Sequence, residues 1–306
     1  MQGEWFGVIG LGRMGGALVR NLKKAGGNAV VYDVNLDSVA EIEAEGVAKG
    51  ARSLGELVNL LPEGRRVIWM MVPAGEPVDQ TIQALKPHLK AGDVLIDGGN
   101  SFYRDTLRRA AEMEAVGIEY IDSGSSGGLE GALNGLCLMV GGKPEAVALA
   151  EPLFKAIAQP GGYMHVGPTG SGHFVKMVHN AIEYGMLQAI GEGFELLEAG
   201  PFKDLDLAKI ADLWNHGSVV RGWLMELAVR AFNNDPHMEK ITGEIGGGST
   251  GNWAVEEAWK FGVPFPAIAM AYSMRLRSRQ PDTMTGKVIA ALRNEFGGHA
   301  VVRTKE

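Results

Sequence analysis

The sequence predicts an α/β fold: an amino-terminal Rossmann-type doubly wound sheet followed by an all-helical carboxy-terminal domain. Three observations predict it. A glycine fingerprint sits between a strand and a helix, several short apolar runs each end in a glycine-containing loop, and that strand signal stops beyond Gly170. At 306 residues the chain has room for two domains with separate cores, and the expected division is 1–168 and 169–306. No low-complexity linker or short-period repeat interrupts it.

Residues 5–9 read as the first strand, followed by Gly10, Leu11, Gly12, Arg13, Met14 and Gly15 and an apolar-periodic helix that stops near Gly26 and Gly27. A second strand over 29–32 then delivers Asp33. This is the dinucleotide-binding pattern in its proper context. Gly10 serves the tight turn, Gly12 the approach of a pyrophosphate, Gly15 the packing of helix on strand, and the helix N–H groups are left for phosphate. Asp33 lies where a carboxylate accepts from ribose hydroxyls and repels a 2′-phosphate, and Val34 and Asn35 offer no cation. NAD is therefore expected rather than NADP.

A third strand over 67–72 is apolar throughout, as in a parallel sheet covered on both faces, and a ligand-facing loop at Pro73, Ala74 and Gly75 ends it, with Val72 and Pro73 expected at the cofactor. Strands over 93–97 and 118–122 repeat the plan, ending at Gly98-Gly99-Asn100-Ser101 and at Ser123 to Gly128. Both loops mix glycine with amide or hydroxyl groups, a composition that suits close ligand approach and equally an ordinary turn. Runs over 136–140 and 163–166 complete the strands, with a helix over 144–158 between them. Helices are expected over 186–199, 207–214, 219–232, 253–260, 268–279 and 288–296.

The stretch from Gly170 to Gly185 opens the second domain. Lys176, His179, Asn180, Glu183 and Tyr184 fall at helical spacing on one face, with Val175, Val178 and Ile182 on the expected buried back. Lys176 and Glu183 are then about 10 Å apart along the axis, room enough for a small substrate. A solvated amphipathic face gives the same spacing, but such faces repeat Glu and Lys, whereas this one mixes five chemical groups.

A formal net charge of −7 disfavours a sequence-independent grip on nucleic acid. Cys137 is the single cysteine, so no internal disulfide forms, and its apolar neighbours predict a buried strand position. No run reaches membrane-spanning length and no basic leader precedes the first strand, which leads to the expectation of a cytoplasmic protein. The histidines show no metal-ligand spacing, and no Gly-x-Ser-x-Gly elbow is present. Hydride chemistry assisted by Lys176 and Glu183 is what the motifs support. A cationic excess from Arg275 to Lys305 suits either an anionic substrate or a solvated helix face.

Together these motifs resemble the β-hydroxyacid dehydrogenases, and most closely the decarboxylating 6-phosphogluconate dehydrogenases in a short form. The resemblance runs nearly the whole length. Gly10-x-Gly12-x-x-Gly15 is similar to the family's cofactor loop, Gly98 to Ser101 to its nicotinamide-side and substrate loop, and Ser126-Gly127-Gly128 to its substrate loop. Lys176-Met177-Val178-His179-Asn180-x-x-Glu183-Tyr184 resembles its catalytic helix. Arg293-x-x-Phe296-Gly297-x-His299 resembles a tail segment that in the family acts on the neighbouring subunit's substrate, implying a homo-oligomer with Arg293 and His299 supplied in trans. Thr250 fits the family's phosphate loop and Arg275 its other phosphate contact, while Gly248 stands where the longer enzymes carry a lysine.

The resemblance implies oxidative decarboxylation of 6-phosphogluconate to ribulose 5-phosphate, a step of the pentose phosphate pathway. Lys176 would take the C3 hydroxyl proton, Glu183 would protonate the enediol carbon, and Asn100, His179 and Asn180 would orient the substrate. Two other readings stay open at this point: a non-decarboxylating NAD-dependent 3-hydroxy acid dehydrogenase, and a non-catalytic NAD-sensing protein.

Overall fold

The computed structural model describes residues 3–302, so Arg303 and Lys305 of the cationic tail lie outside the described residues. Its contacts divide the chain into two compact units, Met1–His179 and Asn180–Glu306.

The first unit is built on an eight-stranded sheet of order β3-β2-β1-β4-β5-β6-β7-β8. Its strands are β1 (Trp5–Ile9), β2 (Asn28–Tyr32), β3 (Lys49–Gly50), β4 (Val67–Met70), β5 (Val94–Asp97), β6 (Glu119–Ser126), β7 (Leu136–Gly141) and β8 (Ala158–Gly167). Helices α1 (Arg13–Lys24), α2 (Leu36–Ala44), α3 (Leu54–Leu60), α4 (Glu76–Leu85), α5 (Tyr103–Glu114), α6 (Gly128–Asn134) and α7 (Pro144–Ile157) connect them. Side chains alternate between two cores. Val8, Val31, Trp69 and Ile96 pack with α1, α2 and α7, whereas Ile9, Val30, Ile68 and Leu95 pack with α3, α4 and α5. A strand that must satisfy both faces is apolar at every position, which is why 67–70 and 94–96 read as unbroken runs.

The pairing is parallel except between β6 and β7. β6 continues through Ser126, so the expected loop at Ser123 to Ser126 is strand, paired in register with Cys137 to Val140. Cys137 is exposed, contrary to the sequence expectation: in an alternating strand near the sheet end, its side of the ribbon is left uncovered. The sequence expectations also leave β3 and α2 to α6 unmarked.

The sequence predicts separate helices on either side of Gly185. A single helix α8 (Ser171–Ala199) runs through instead, and the division between the units falls within it. Glycine without neighbouring proline weakens a helix by only about 1 kcal/mol, too little to break one held by packing. The second unit continues with α9 (Leu207–Asn215), α10 (Trp223–Asn234), α11 (Ser249–Lys260), α12 (Pro266–Arg277) and α13 (Met284–Gly297). A small core gathers Phe194, Leu207, Ala211, Met225 and Phe232, with the Phe194 and Phe232 rings 4.7 Å apart. Among the described residues, no helix is long and apolar enough to cross a membrane.

Candidate active site

The carboxyl ends of β1 and β4 flank the point where strand order reverses, and a cavity of about 970 Å³ opens there. Gly10, Gly12, Arg13, Met14, Gly15, Asp33, Val72, Pro73 and Asn100 all line it. The fingerprint glycines differ in what surrounds them. Gly10 has φ +93°, and a Cβ there would lie 2.3 Å from Met71 O; one on Gly15 would lie 1.9 Å from Gly10 O. Nothing lies within 4 Å of a Cβ on Gly12, the position that faces open space at the start of α1. No side chain caps α1, so its first N–H groups are left to an anion. Leu11 is buried, and its N–H donates to Asp33 Oδ2 at 2.6 Å while Asn35 N–H donates to Oδ1 at 2.7 Å. The carboxylate is thereby fixed, with lone pairs left for ribose hydroxyls. The open glycine, the uncapped helix and the oriented acid together fit a dinucleotide.

Lys176 is 9% exposed and lies beside β6. A Cβ on Gly124 would lie 2.3 Å from Lys176 Cβ, so only glycine allows this approach of helix to strand. Lys176 Nζ contacts His179 Nδ1 at 3.5 Å, and His179 Nε2 contacts Ser126 Oγ at 3.1 Å. An amine donating to Nδ1 places the imidazole proton on Nε2, which then donates to Ser126. Gly124 and Ser126 share the face of β6 toward α8, while Ser125 points the other way and lines the dinucleotide cavity. Gly127, with φ +119°, caps α6 at Gly128. Asn180, Glu183 and Tyr184 are half-buried along α8.

The expected apolar back of this helix is not buried. Val175 is 37% and Ile182 51% exposed and Val178 is half-buried, while His173, Lys176, Met177 and Ala181 are among the buried positions. The helix is fixed through its amino-terminal turn, which turns the polar side inward. Asp122, on the α8-facing side of β6, accepts from Gly170 N–H at 2.6 Å and His173 N–H at 2.8 Å. Burial pushes the Asp122 carboxyl above its ordinary range, and His173 and the two N–H groups counter that rise. His173 is in turn held by Thr106, Nδ1 to Oγ1 at 2.7 Å.

A second buried network sits behind the loops of the cavity. Arg109 on α5 is 1% exposed; its Nε and Nη2 donate to both oxygens of Asp79 at 2.9 Å, and Nη2 also donates to Gly75 O at 2.9 Å. Its Nη1 lies 3.8 Å from Asp97 Oδ2. Asp97 accepts from Ser101 Oγ, Tyr120 OH and Gly99 N–H, fixing the turn that carries Asn100. Sequence reading missed Asp122, His173, Arg109 and Asp97. Polar residues at strand ends within otherwise apolar runs, as at Asp97 and Asp122, were the available signal.

In the second unit, the Arg275 guanidinium lies 3.8 Å over the Tyr184 ring. A Cβ on Gly251 would sit 2.3 Å from Tyr184 Cε2, so the first turn of α11 packs directly on that ring. Thr250 is buried in the same turn. Arg293 is exposed on α13, and His299 follows that helix with its N–H 3.4 Å from Arg293 O. No cluster of His, Cys, Asp or Glu able to hold a metal occurs among the described residues.

Comparison with known proteins places these features in context. The family model for the NAD binding domain of 6-phosphogluconate dehydrogenase matches residues 5–170, and that for the 6-phosphogluconate dehydrogenase C-terminal domain matches 172–285. A Haloferax volcanii protein named as the NAD(+)-dependent, decarboxylating 6-phosphogluconate dehydrogenase is 45% identical over 299 residues, 97% of this chain and 98% of its own. YqeC of Bacillus subtilis, named only as a candidate 6-phosphogluconate dehydrogenase, is 49% identical over 96% of this chain and 98% of its own. The solved structure of Plasmodium falciparum 6-phosphogluconate dehydrogenase, studied in apo form and with NADP+ or 6-phosphogluconate, matches with a TM-score of 0.81 at 29% identity. That match covers 98% of this chain and 66% of the longer one.

Proposed function

The chain belongs to the 6-phosphogluconate dehydrogenase family, and from that premise we propose that it oxidises and decarboxylates 6-phosphogluconate to ribulose 5-phosphate and CO₂ with NAD. The observation that carries the reading is the placement of Lys176. It is buried against Gly124, next in sequence to a residue lining the dinucleotide cavity, on the helix that also bears Asn180, Glu183 and Tyr184.

Gly10 to Gly15 and Asp33 would hold the dinucleotide, and Asn100 would lie at its nicotinamide side. NAD, when bound, supplies the hydride acceptor. Lys176 takes the proton from the C3 hydroxyl as that carbon is oxidised, and His179 orients the amine through Nδ1. The resulting β-keto acid loses CO₂, its electrons moving toward the C3 carbonyl. Lys176 returns its proton to that oxygen to give the enediol, then takes it back as Glu183 delivers a proton to the carbon that becomes C1 of the product, restoring the ketone. Asn100, Ser126, Gly127, Gly128, Asn180 and Tyr184 position the sugar acid, with Thr250 and Arg275 at its phosphate.

Arg293 and His299 complete the site of a second subunit in this reading. Support comes from α13, whose Met284, Val288, Ile289 and Leu292 are all exposed in the single chain. A 14-residue helix is marginal by itself and needs its apolar side covered; a second copy of the chain would cover it. A non-decarboxylating dehydrogenase would use Lys176 alike but would not need Arg275 stacked on Tyr184 beside an α11 turn suited to phosphate.

The test is initial-rate formation of reduced nicotinamide from 6-phosphogluconate with NAD or NADP. The expected result is turnover with a higher kcat/KM for NAD, and absence of turnover with both cofactors would overturn the reading.

A further inference from the structure

The end of α12 brings together two arginines whose charges the fold leaves uncompensated. Arg275 is in the last turn of α12, and Arg279 lies just beyond it and turns back onto the loop before α11. Arg279 Nε donates to Ile245 O at 2.7 Å, and its Nη2 donates to Gly247 O. Arg275 Cδ and Arg279 Nη2 each lie 3.9 Å from the point that a Cβ on Gly248 would occupy. Neither arginine forms an ion pair with a carboxylate among the described residues. Two like charges at one loop repel, and an anion received between them turns that repulsion into attraction.

The loop itself keeps the space open. Gly247 and Gly248 have φ of +71° and +128°, conformations that L side chains rarely adopt, so no side chain of their own can fill it. A long cationic side chain at 248 would be strained in this backbone. The cation arrives from position 279 instead. Guanidinium carries five N–H donors, and the two carbonyl bonds leave the rest for phosphate oxygens.

We propose that Arg279 is a substrate-binding residue that pins the 245–248 loop through two carbonyls and, with Arg275, receives the phosphate of the sugar acid. This rests on the function proposed above and extends it to a group outside the catalytic helix. It also accords with Gly248, whose φ of +128° favours glycine, so that the cation at this loop comes from Arg279 and not from position 248.

The experiment compares wild type, Arg279→Gln and Arg279→Lys in steady-state kinetics and in calorimetric binding of inorganic phosphate. Arg279→Gln should raise KM for 6-phosphogluconate about tenfold or more, leave kcat and KM for NAD within about twofold, and weaken phosphate binding in parallel. Arg279→Lys should recover part of the loss, because it keeps the charge but not the fork. An unchanged KM for 6-phosphogluconate overturns the proposal. So does a parallel loss in kcat, KM for NAD and Tm, which would make Arg279 a support of the fold alone. Should wild type fail to turn over 6-phosphogluconate, the functional reading falls and phosphate binding decides separately. Binding weakened by Arg279→Gln then supports the site, whereas no binding, or binding that the substitution leaves unchanged, overturns it.

Discussion

The stem of Lys176 lies against the strand at Gly124, and its amine meets the His179 imidazole at 3.5 Å. Lys176→Met should cut NADH formation by at least about a hundredfold, as loss of a general base does, while NADH binding followed by fluorescence is unchanged. Near-normal turnover would remove Lys176 from the mechanism. In the dinucleotide cavity, Asp33 is oriented by two backbone N–H groups and Val34 is exposed. Asp33→Ser combined with Val34→Arg should shift the ratio of kcat/KM values toward NADP, and an unshifted ratio would contradict the assignment of cofactor choice to Asp33. Both sites were legible in the sequence because their spacing is local: one helical face, one strand–turn–helix. Asp122, His173 and Arg109 were not, because their bonds join residues 30 to 67 apart in sequence. Only the folded sheet brings these together.

Among the elements, α8 carries the residues proposed to act on the substrate. Its polar face was readable from periodicity, but which face is buried was not, since the anchor is Asp122 on β6 rather than an apolar stripe. Gly124→Ala places a methyl 2.3 Å from Lys176 Cβ, so the helix must shift. The prediction is a loss in kcat larger than any rise in KM for NAD; unaltered kcat would show that the close approach has no catalytic consequence. The loops behind the cofactor cavity depend on Arg109 and Asp79. Hydrogen bonds from Arg109, with help from Arg108, hold the Asp79 carboxyl down from 3.8 to about 2. A depressed carboxylate contributes stability above its unfolded value, and that contribution disappears as pH falls through about 2. Asp79→Asn should therefore flatten the fall in stability between about pH 4 and pH 2, measured by denaturant midpoints, relative to wild type. Identical slopes would contradict the pairing.

The whole molecule joins a sheet covered on both faces to a helical unit with a small core and much apolar surface. The α/β-then-helical order was legible because strand and helix periods differ, and strand runs recur up to Gly167 and then stop. The reversal of β7 and the continuity of α8 were not, because both depend on tertiary pairing rather than local pattern. If Arg293 and His299 act in trans, Lys176→Met and Arg293→Ala chains, each inactive alone, should complement when co-expressed. A dimer with two shared sites would regain about a quarter of wild-type activity; no recovery in verified mixed oligomers would place Arg293 in its own subunit's site or outside the reaction. The central claim is that one site both oxidises and decarboxylates, and it is tested most directly with 6-phosphogluconate labelled with ¹³C at C1, following NADH and labelled CO₂ together. Equal yields of NADH and labelled CO₂ are predicted; NADH without labelled CO₂ would contradict the account and leave Glu183 without its role.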